Sequence, residues 1–128
     1  MATKQIIKPA KSPAAIGPYN HAVRVGELLF CAGQIPIDPK DGNLISGDIK
    51  TQTERVLQNV KAILDDQKLT FANVVKSTVF LTDLANFAGM NEIWDAWTAP
   101  GAAPTRASLE ANLSGPDALV EIIVTAAV

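Results

Sequence analysis

Pro104-Thr105-Arg106-Ala107-Ser108-Leu109-Glu110-Ala111-Asn112 alternates without a break. Thr105, Ala107, Leu109 and Ala111 fall on one side, and Arg106, Ser108, Glu110 and Asn112 on the other. A period of two over this length predicts a strand. The polar side carries Arg106, the only Lys or Arg after Lys76, in a tail that also holds Asp83, Glu92, Asp95, Glu110, Asp117 and Glu121. A lone cation on a strand, in an otherwise acidic half, is placed to hold an anion. The final strand, Leu119 to Val128, has Glu121 as its one charged side chain. Mid-strand carboxylates are rarely left in apolar surroundings without a partner or a task. Two readings follow. Arg106 and Glu121 form an ordinary ion pair between strands, or they line one small acid-binding pocket.

Length and composition narrow the classes. A chain of 128 residues is expected to form one domain over 1–128, burying about two-thirds of its unfolded surface. Apolar content of 48% and charged content of 19% are those of a globular chain. The 11 basic residues stand singly and the net charge is −2, which argues against a nucleic-acid partner. One cysteine, Cys31, excludes an internal disulfide and a thiolate metal cluster. One histidine, His21, argues against a histidine-based metal site and a Ser-His-Asp triad. The N-terminus shows no signal-peptide pattern, and no apolar run approaches the ~20 residues that span a bilayer. The expectation is a soluble, cytoplasmic protein with no membrane partner.

Working outward, Lys4 to Lys8 predicts a short edge strand, and Lys11 to Pro18 an ordered loop. Tyr19 to Val25 and Leu28 to Ala32 form a hairpin across Gly26-Glu27. Gly33-Gln34-Ile35-Pro36 ends that strand, and Asp41-Gly42 marks a turn. Asp48 caps a helix to about Gln67, whose Ile49, Val56, Leu57, Val60, Ile63 and Leu64 share one face. Val74 to Leu81 is β-branched and reads as a buried strand. Asp83 caps a second helix, Leu84 to about Trp97, with a stripe of Phe87, Met90, Trp94 and Trp97. Asn91 stands beside that stripe as hydrogen-bonded structure or as site support.

The order β-β-β-α-β-α-β-β puts two helices on one sheet face. Arg106, Ser108, Glu110, Glu121, Ile123 and Thr125 are expected together on the other. Mixed polar and apolar character there suggests burial against other subunits, so the Arg–Glu pocket is expected at a subunit interface. Cys31 reads as a buried strand residue with no neighbour to activate it, and Trp94 and Trp97 as packing.

Taken together, Ile16-Gly17-Pro18-Tyr19, Gly33-Gln34-Ile35-Pro36, Val74 to Asp83, Asn91-Glu92-Ile93, Pro104-Thr105-Arg106 and Val120-Glu121-Ile122 closely resemble the RidA/YjgF family, the reactive-intermediate deaminases. The resemblance covers nearly the whole chain. It implies a chorismate-mutase-like α+β subunit, with a six-stranded mixed sheet and two helices on one face. It also implies a homotrimer with pockets between subunits. The implied activity is that of a hydrolase acting on C–N bonds: imine and enamine intermediates such as 2-iminobutanoate and 2-iminopropanoate become 2-keto acids and ammonia, with no cofactor and no metal. Residue by residue, Arg106 matches the arginine that grips the substrate carboxylate, and a planar guanidinium can do so with two parallel hydrogen bonds. Glu121 matches the glutamate that orients or deprotonates the attacking water. Tyr19 and Gly33 match pocket residues, and Asn91 the helix asparagine near the pocket. Ser108 stands where the family often has cysteine, and can serve if that position contributes through its backbone. His21 stands where the family often has glutamine and reads as a non-catalytic polar residue. Two other functions fit the same fold: deamination of another enamine such as aminoacrylate or 2-aminomuconate, and a non-catalytic ligand-binding or chaperone-like trimer. Retention of Glu121 argues against the second, and the scattered basic residues argue against a nuclease.

Overall fold

Val74–Leu81 lies inside the sheet with Val74, Ser77, Val79 and Leu81 buried, as its β-branched run predicts. The computed structural model describes residues 3–128. In chain order the elements are β1 (Gln5–Ile7), β2 (Ala22–Val25), β3 (Leu28–Cys31), α1 (Ile49–Asp66), β4 (Val74–Leu81), α2 (Phe87–Trp97), β5 (Thr105–Glu110) and β6 (Val120–Ala127). One sheet holds the strands in the order β1-β2-β3-β6-β4-β5. Every pairing is antiparallel except β4 with β5, so the sheet is mixed. No described helix is long and apolar enough to cross a membrane.

Local signals set most boundaries. Gly26 takes φ 58 in the two-residue connection between Val25 and Leu28, a conformation that favours glycine. Asp48 accepts a hydrogen bond from the Thr51 amide at 2.9 Å and starts α1. The six apolar residues expected on the inner face of α1 are all buried, and with Leu29, Val79, Val120, Ile122 and Val124 they make the core between helices and sheet. Gly89 of α2 lets the helices approach closely, since a Cβ there would stand 2.6 Å from Ile49 Cγ2.

Three expectations need correction. Tyr19 lies outside β2, because its amide closes a turn onto the Gly17 carbonyl at 2.8 Å. The second helix comes in two pieces. Asp83 caps a 3-10 turn over Leu84–Asn86 by accepting from the Ala85 amide at 2.8 Å, and α2 proper starts at Phe87. The third is the sheet face of Arg106. Arg106 pairs with Ser77 and Ser108 with Val79, so both share the helix-covered face. Glu121 pairs with Phe80 and lies on the uncovered face, with Ile123 and Thr125. Glu110, opposite Leu81, is also on the helix side, where its carboxylate accepts from the Leu84 amide at 3.0 Å. An edge strand whose other side offers only Thr105, Ala107 and Leu109 gives the core little to bury, so pairing register, not polarity, decided its faces.

Two buried polar residues of α1 tie the helix to the loops of the sheet. Gln52 donates to the Asp117 carbonyl at 3.0 Å and accepts from the Leu119 amide at 2.7 Å. Asn59 donates to the carbonyls of Ile35 at 3.2 Å and Ile37 at 2.8 Å. Gln52→Leu keeps the volume and orphans those backbone groups. Each buried orphan costs about 1–3 kcal/mol, so we expect a loss of roughly 2–4 kcal/mol in urea denaturation at fixed protein concentration. An unchanged midpoint would show that water takes over these bonds.

Candidate active site

Glu121 projects from β6 into a cavity of about 360 Å³ that Tyr19, Gly33 and Ser114 also line. Backbone pairing puts Gly33 there. The Gln34 amide donates to the Ile122 carbonyl at 2.9 Å, and the Ile122 amide donates back to Gln34 at 3.1 Å. This bridge holds Gly33 so close to Glu121 that any Cβ at position 33 would overlap the carboxyl group. Glycine here lets the Glu121 side chain lie against the backbone, and a Cβ would force the carboxyl group to move. Glu121 is half-buried and makes no ion pair or side-chain hydrogen bond among the described residues. Burial without a partner raises its pKa above the ordinary glutamate value.

Arg106 belongs to a second group across the sheet. β5 is anchored beside it: the Ser77 hydroxyl donates to the Thr105 carbonyl at 2.6 Å, and the Thr105 hydroxyl donates to the Val75 carbonyl at 3.0 Å. The guanidinium carbon lies 5.2 Å from the Trp94 ring centroid and 5.5 Å from that of Phe87. Both are cation–π distances. Phe87, Asn91 and Trp94 share one face of α2 at helical spacing. Asn91 is half-buried and its side chain makes no hydrogen bond among the described residues, leaving its amide free. Ser108 is half-buried two residues beyond Arg106 on the same side of β5.

The six residues singled out from the sequence thus fall into two groups. Tyr19, Gly33 and Glu121 surround one cavity. Arg106, Ser108 and Asn91 lie on the helix side of the sheet. Arg106 and Glu121 do not meet within one chain, so the reading as an ion pair between neighbouring strands fails, and so does a pocket built from one subunit. Sequence reasoning passed over Phe87 and Trp94, which read as an apolar stripe. The available signal was Asn91 between them on the same helical face. It also passed over Asn59, whose grip on Ile35 and Ile37 steadies the segment that follows Gly33.

The chemistry available is complementary. One group offers a cation with no carboxylate partner among the described residues, lying over two aromatic rings. The other offers a carboxyl group that holds its proton more readily than usual, in a cavity large enough for a small acid.

Comparison with known proteins gives a consistent result. Residues 9–128 match the family model described as Endoribonuclease L-PSP. A RutC family protein of Pyrococcus abyssi is 44% identical over 119 residues, covering 93% of both chains. Reactive Intermediate Deaminase A, chloroplastic, of Arabidopsis thaliana is 34% identical over 119 residues, 93% of this chain and 63% of that protein. The crystal structure of E. coli TdcF with bound serine superposes with a TM-score of 0.89 at 36% identity, covering 97% of this chain and 98% of that one.

The raised pKa of Glu121 has a thermodynamic consequence. A carboxyl group whose folded pKa exceeds its unfolded value binds its proton more tightly when folded, so its ionisation costs stability as pH rises through the two values. Glu121→Gln cannot ionise. We expect it to melt above the unsubstituted protein at pH 7, with the gap closing as pH falls below the ordinary glutamate value of 4.5. Equal melting temperatures at pH 7 would mean that Glu121 ionises without penalty.

Proposed function

We propose, from the premise that this chain belongs to the RidA/YjgF family, that it is a deaminase hydrolysing small 2-imino acids and their enamine tautomers to 2-keto acids and ammonia. The observation that carries this reading is the pair of half-sites: an unpaired arginine stacked on aromatic rings, and an unpaired, partly desolvated glutamate beside a glycine. Arg106 grips the substrate carboxylate through two parallel N–H groups. Its cation–π contacts with Phe87 and Trp94 position the guanidinium before substrate arrives. Glu121 removes a proton from water as the oxygen attacks the imine carbon, and returns that proton to nitrogen. The tetrahedral aminoalcohol then collapses: Glu121 takes the hydroxyl proton and passes it to the amino group, the C–N bond breaks, ammonia leaves, and a carbonyl remains. A carboxyl group with a raised pKa suits both directions of that transfer near neutral pH. Tyr19 shapes the cavity, and Asn91 and Ser108 offer hydrogen bonds near Arg106.

Arg106 and Glu121 stand on opposite faces of one sheet, so the working site takes them from two copies of the chain. The uncovered face also exposes Leu28, Phe30 and Leu109, an apolar surface that an isolated subunit would leave in water. Joining the helix-side edge of one subunit to the open face of the next is a head-to-tail contact, which forms a ring where the rotation between subunits closes. Three subunits is the number that the family resemblance implies. 2-Iminobutanoate and 2-iminopropanoate are the proposed substrates, and a cavity of about 360 Å³ has room for four-carbon acids.

The test is complementation in a dehydratase-coupled imine assay. Arg106→Ala is expected to lose roughly ten- to a hundredfold in rate, the worth of a charged bidentate contact. Glu121→Gln is expected to fall by about two to four orders of magnitude while still binding 2-oxobutanoate in calorimetry. Co-refolding the two variants should regenerate activity, because every mixed ring pairs an intact Arg106 with an intact Glu121. A mixture no more active than its parts would refute the shared site. Full turnover by Glu121→Gln would remove Glu121 from the mechanism.

A further inference from the structure

The walls of the Glu121 cavity include Gly33 and Ile35, which follow β3, and Ser114, in the loop before β6. One side chain runs from the first segment to the second. A Cβ on Gly115, the neighbour of Ser114, would stand 3.5 Å from Ile35 Cδ1 and 3.1 Å from Leu44 Cδ1. The tip of Ile35 therefore ends within one methyl group of that loop.

The backbone that carries Ile35 is held by hydrogen bonds. The Gln34–Ile122 bridge fixes the residue before it. The Ile35 carbonyl accepts from Asn59 Nδ2 at 3.2 Å and from the Ile37 amide at 2.7 Å. Arg55 donates to Asn59 Oδ1, from Nε at 3.2 Å and from Nη2 at 2.9 Å, so the amide nitrogen is the end of Asn59 left for the carbonyls. With its backbone tied and its tip at the loop, Ile35 is a wall that yields little to a ligand.

Glu121 also borders a second cavity, of about 300 Å³, which Phe80, Leu113 and Ser114 line. An alkyl group on the substrate thus has two directions to take from the reacting carbon. Glu121 Oε2 is the atom that a Cβ at position 33 would overlap, so the carboxyl group lies against Gly33, on the side of the cavity that Ile35 walls.

We propose that Ile35 is the specificity-determining residue of this site. With the substrate carboxylate on Arg106 and its imino carbon at Glu121, the alkyl group points at Ile35, which ends the space for it and selects short side chains. The proposal takes its reaction from the deaminase reading and its size limit from the wall alone.

The experiment compares 2-iminobutanoate with 2-iminohexanoate, each generated in the assay by an L-amino-acid oxidase, and reads the ratio of their kcat/KM values. The unsubstituted protein is expected to favour the four-carbon substrate. Ile35→Ala should move the ratio toward the six-carbon substrate by about ten- to a hundredfold. Ile35→Val deletes Cδ1 alone, is the milder change to the fold, and should move the ratio the same way by about two- to tenfold. Leu113→Ala, in the second cavity, should not move it. Calorimetric binding of 2-oxobutanoate and 2-oxohexanoate should follow the same order without any turnover. If the unsubstituted protein hydrolyses neither imine, the deaminase reading fails, and the binding ratios still decide the role of Ile35. Ratios unchanged in both Ile35 variants would overturn the proposal. So would a gain confined to Leu113→Ala, which would put the alkyl group in the second cavity.

Discussion

Val79 facing Ile122, and Phe80 facing Glu121, is the pairing from which both half-sites take their positions. β4 is the hinge of this arrangement, since it pairs with β6 on one side and β5 on the other. Side chains alternate strictly along a strand, so this register sends Glu121 to the open face and Arg106 to the helix side together. A slip of one residue between β4 and β6 would turn Val120, Ile122 and Val124 out of the core and Glu121 into it. The fully buried apolar row thus enforces the placement of the one carboxylate that interrupts its neighbouring face.

The supports of the two half-sites differ in kind. Glu121 depends on backbone: the Gln34–Ile122 bridge brings Gly33 against it, and Asn59 holds the following carbonyls from α1. Arg106 depends on side chains, with aromatic rings from α2 where an acid would ordinarily stand. A carboxylate partner would compete with an anionic ligand for the guanidinium. Aromatic faces hold the same group without competing as an anion.

Much of this was legible in the chain. β4 runs over the residues read as a β-branched strand, and α1 starts after the aspartate read as its cap. Those signals are local. The faces of β5 were not legible, because they depend on register with a strand some thirty residues away in sequence and on which strand α2 happens to cover. The polarity of Arg106-Ser108-Glu110 suggested the face away from the helices, against other subunits, whereas Glu110 caps the turn before α2 and Arg106 packs on it. Gln52 and Asn59 interrupt an apolar helix face, and nothing in their spacing says whether such residues meet backbone groups or water. Gly33 could be matched to a motif, but its close approach to Glu121 appears only in the fold.

Cys31 has a consequence of another sort. It is the chain's one thiol, buried in β3, with burial pushing its pKa up to about 12. A thiol in that state reacts only when the structure opens around it. Its backbone neighbour across the hairpin is Ala22, and β3 abuts β6 on the other side. The molecule therefore carries an internal clock for the opening of the β2–β3–β6 half of the sheet, readable by how fast a thiol-specific reagent labels the native protein.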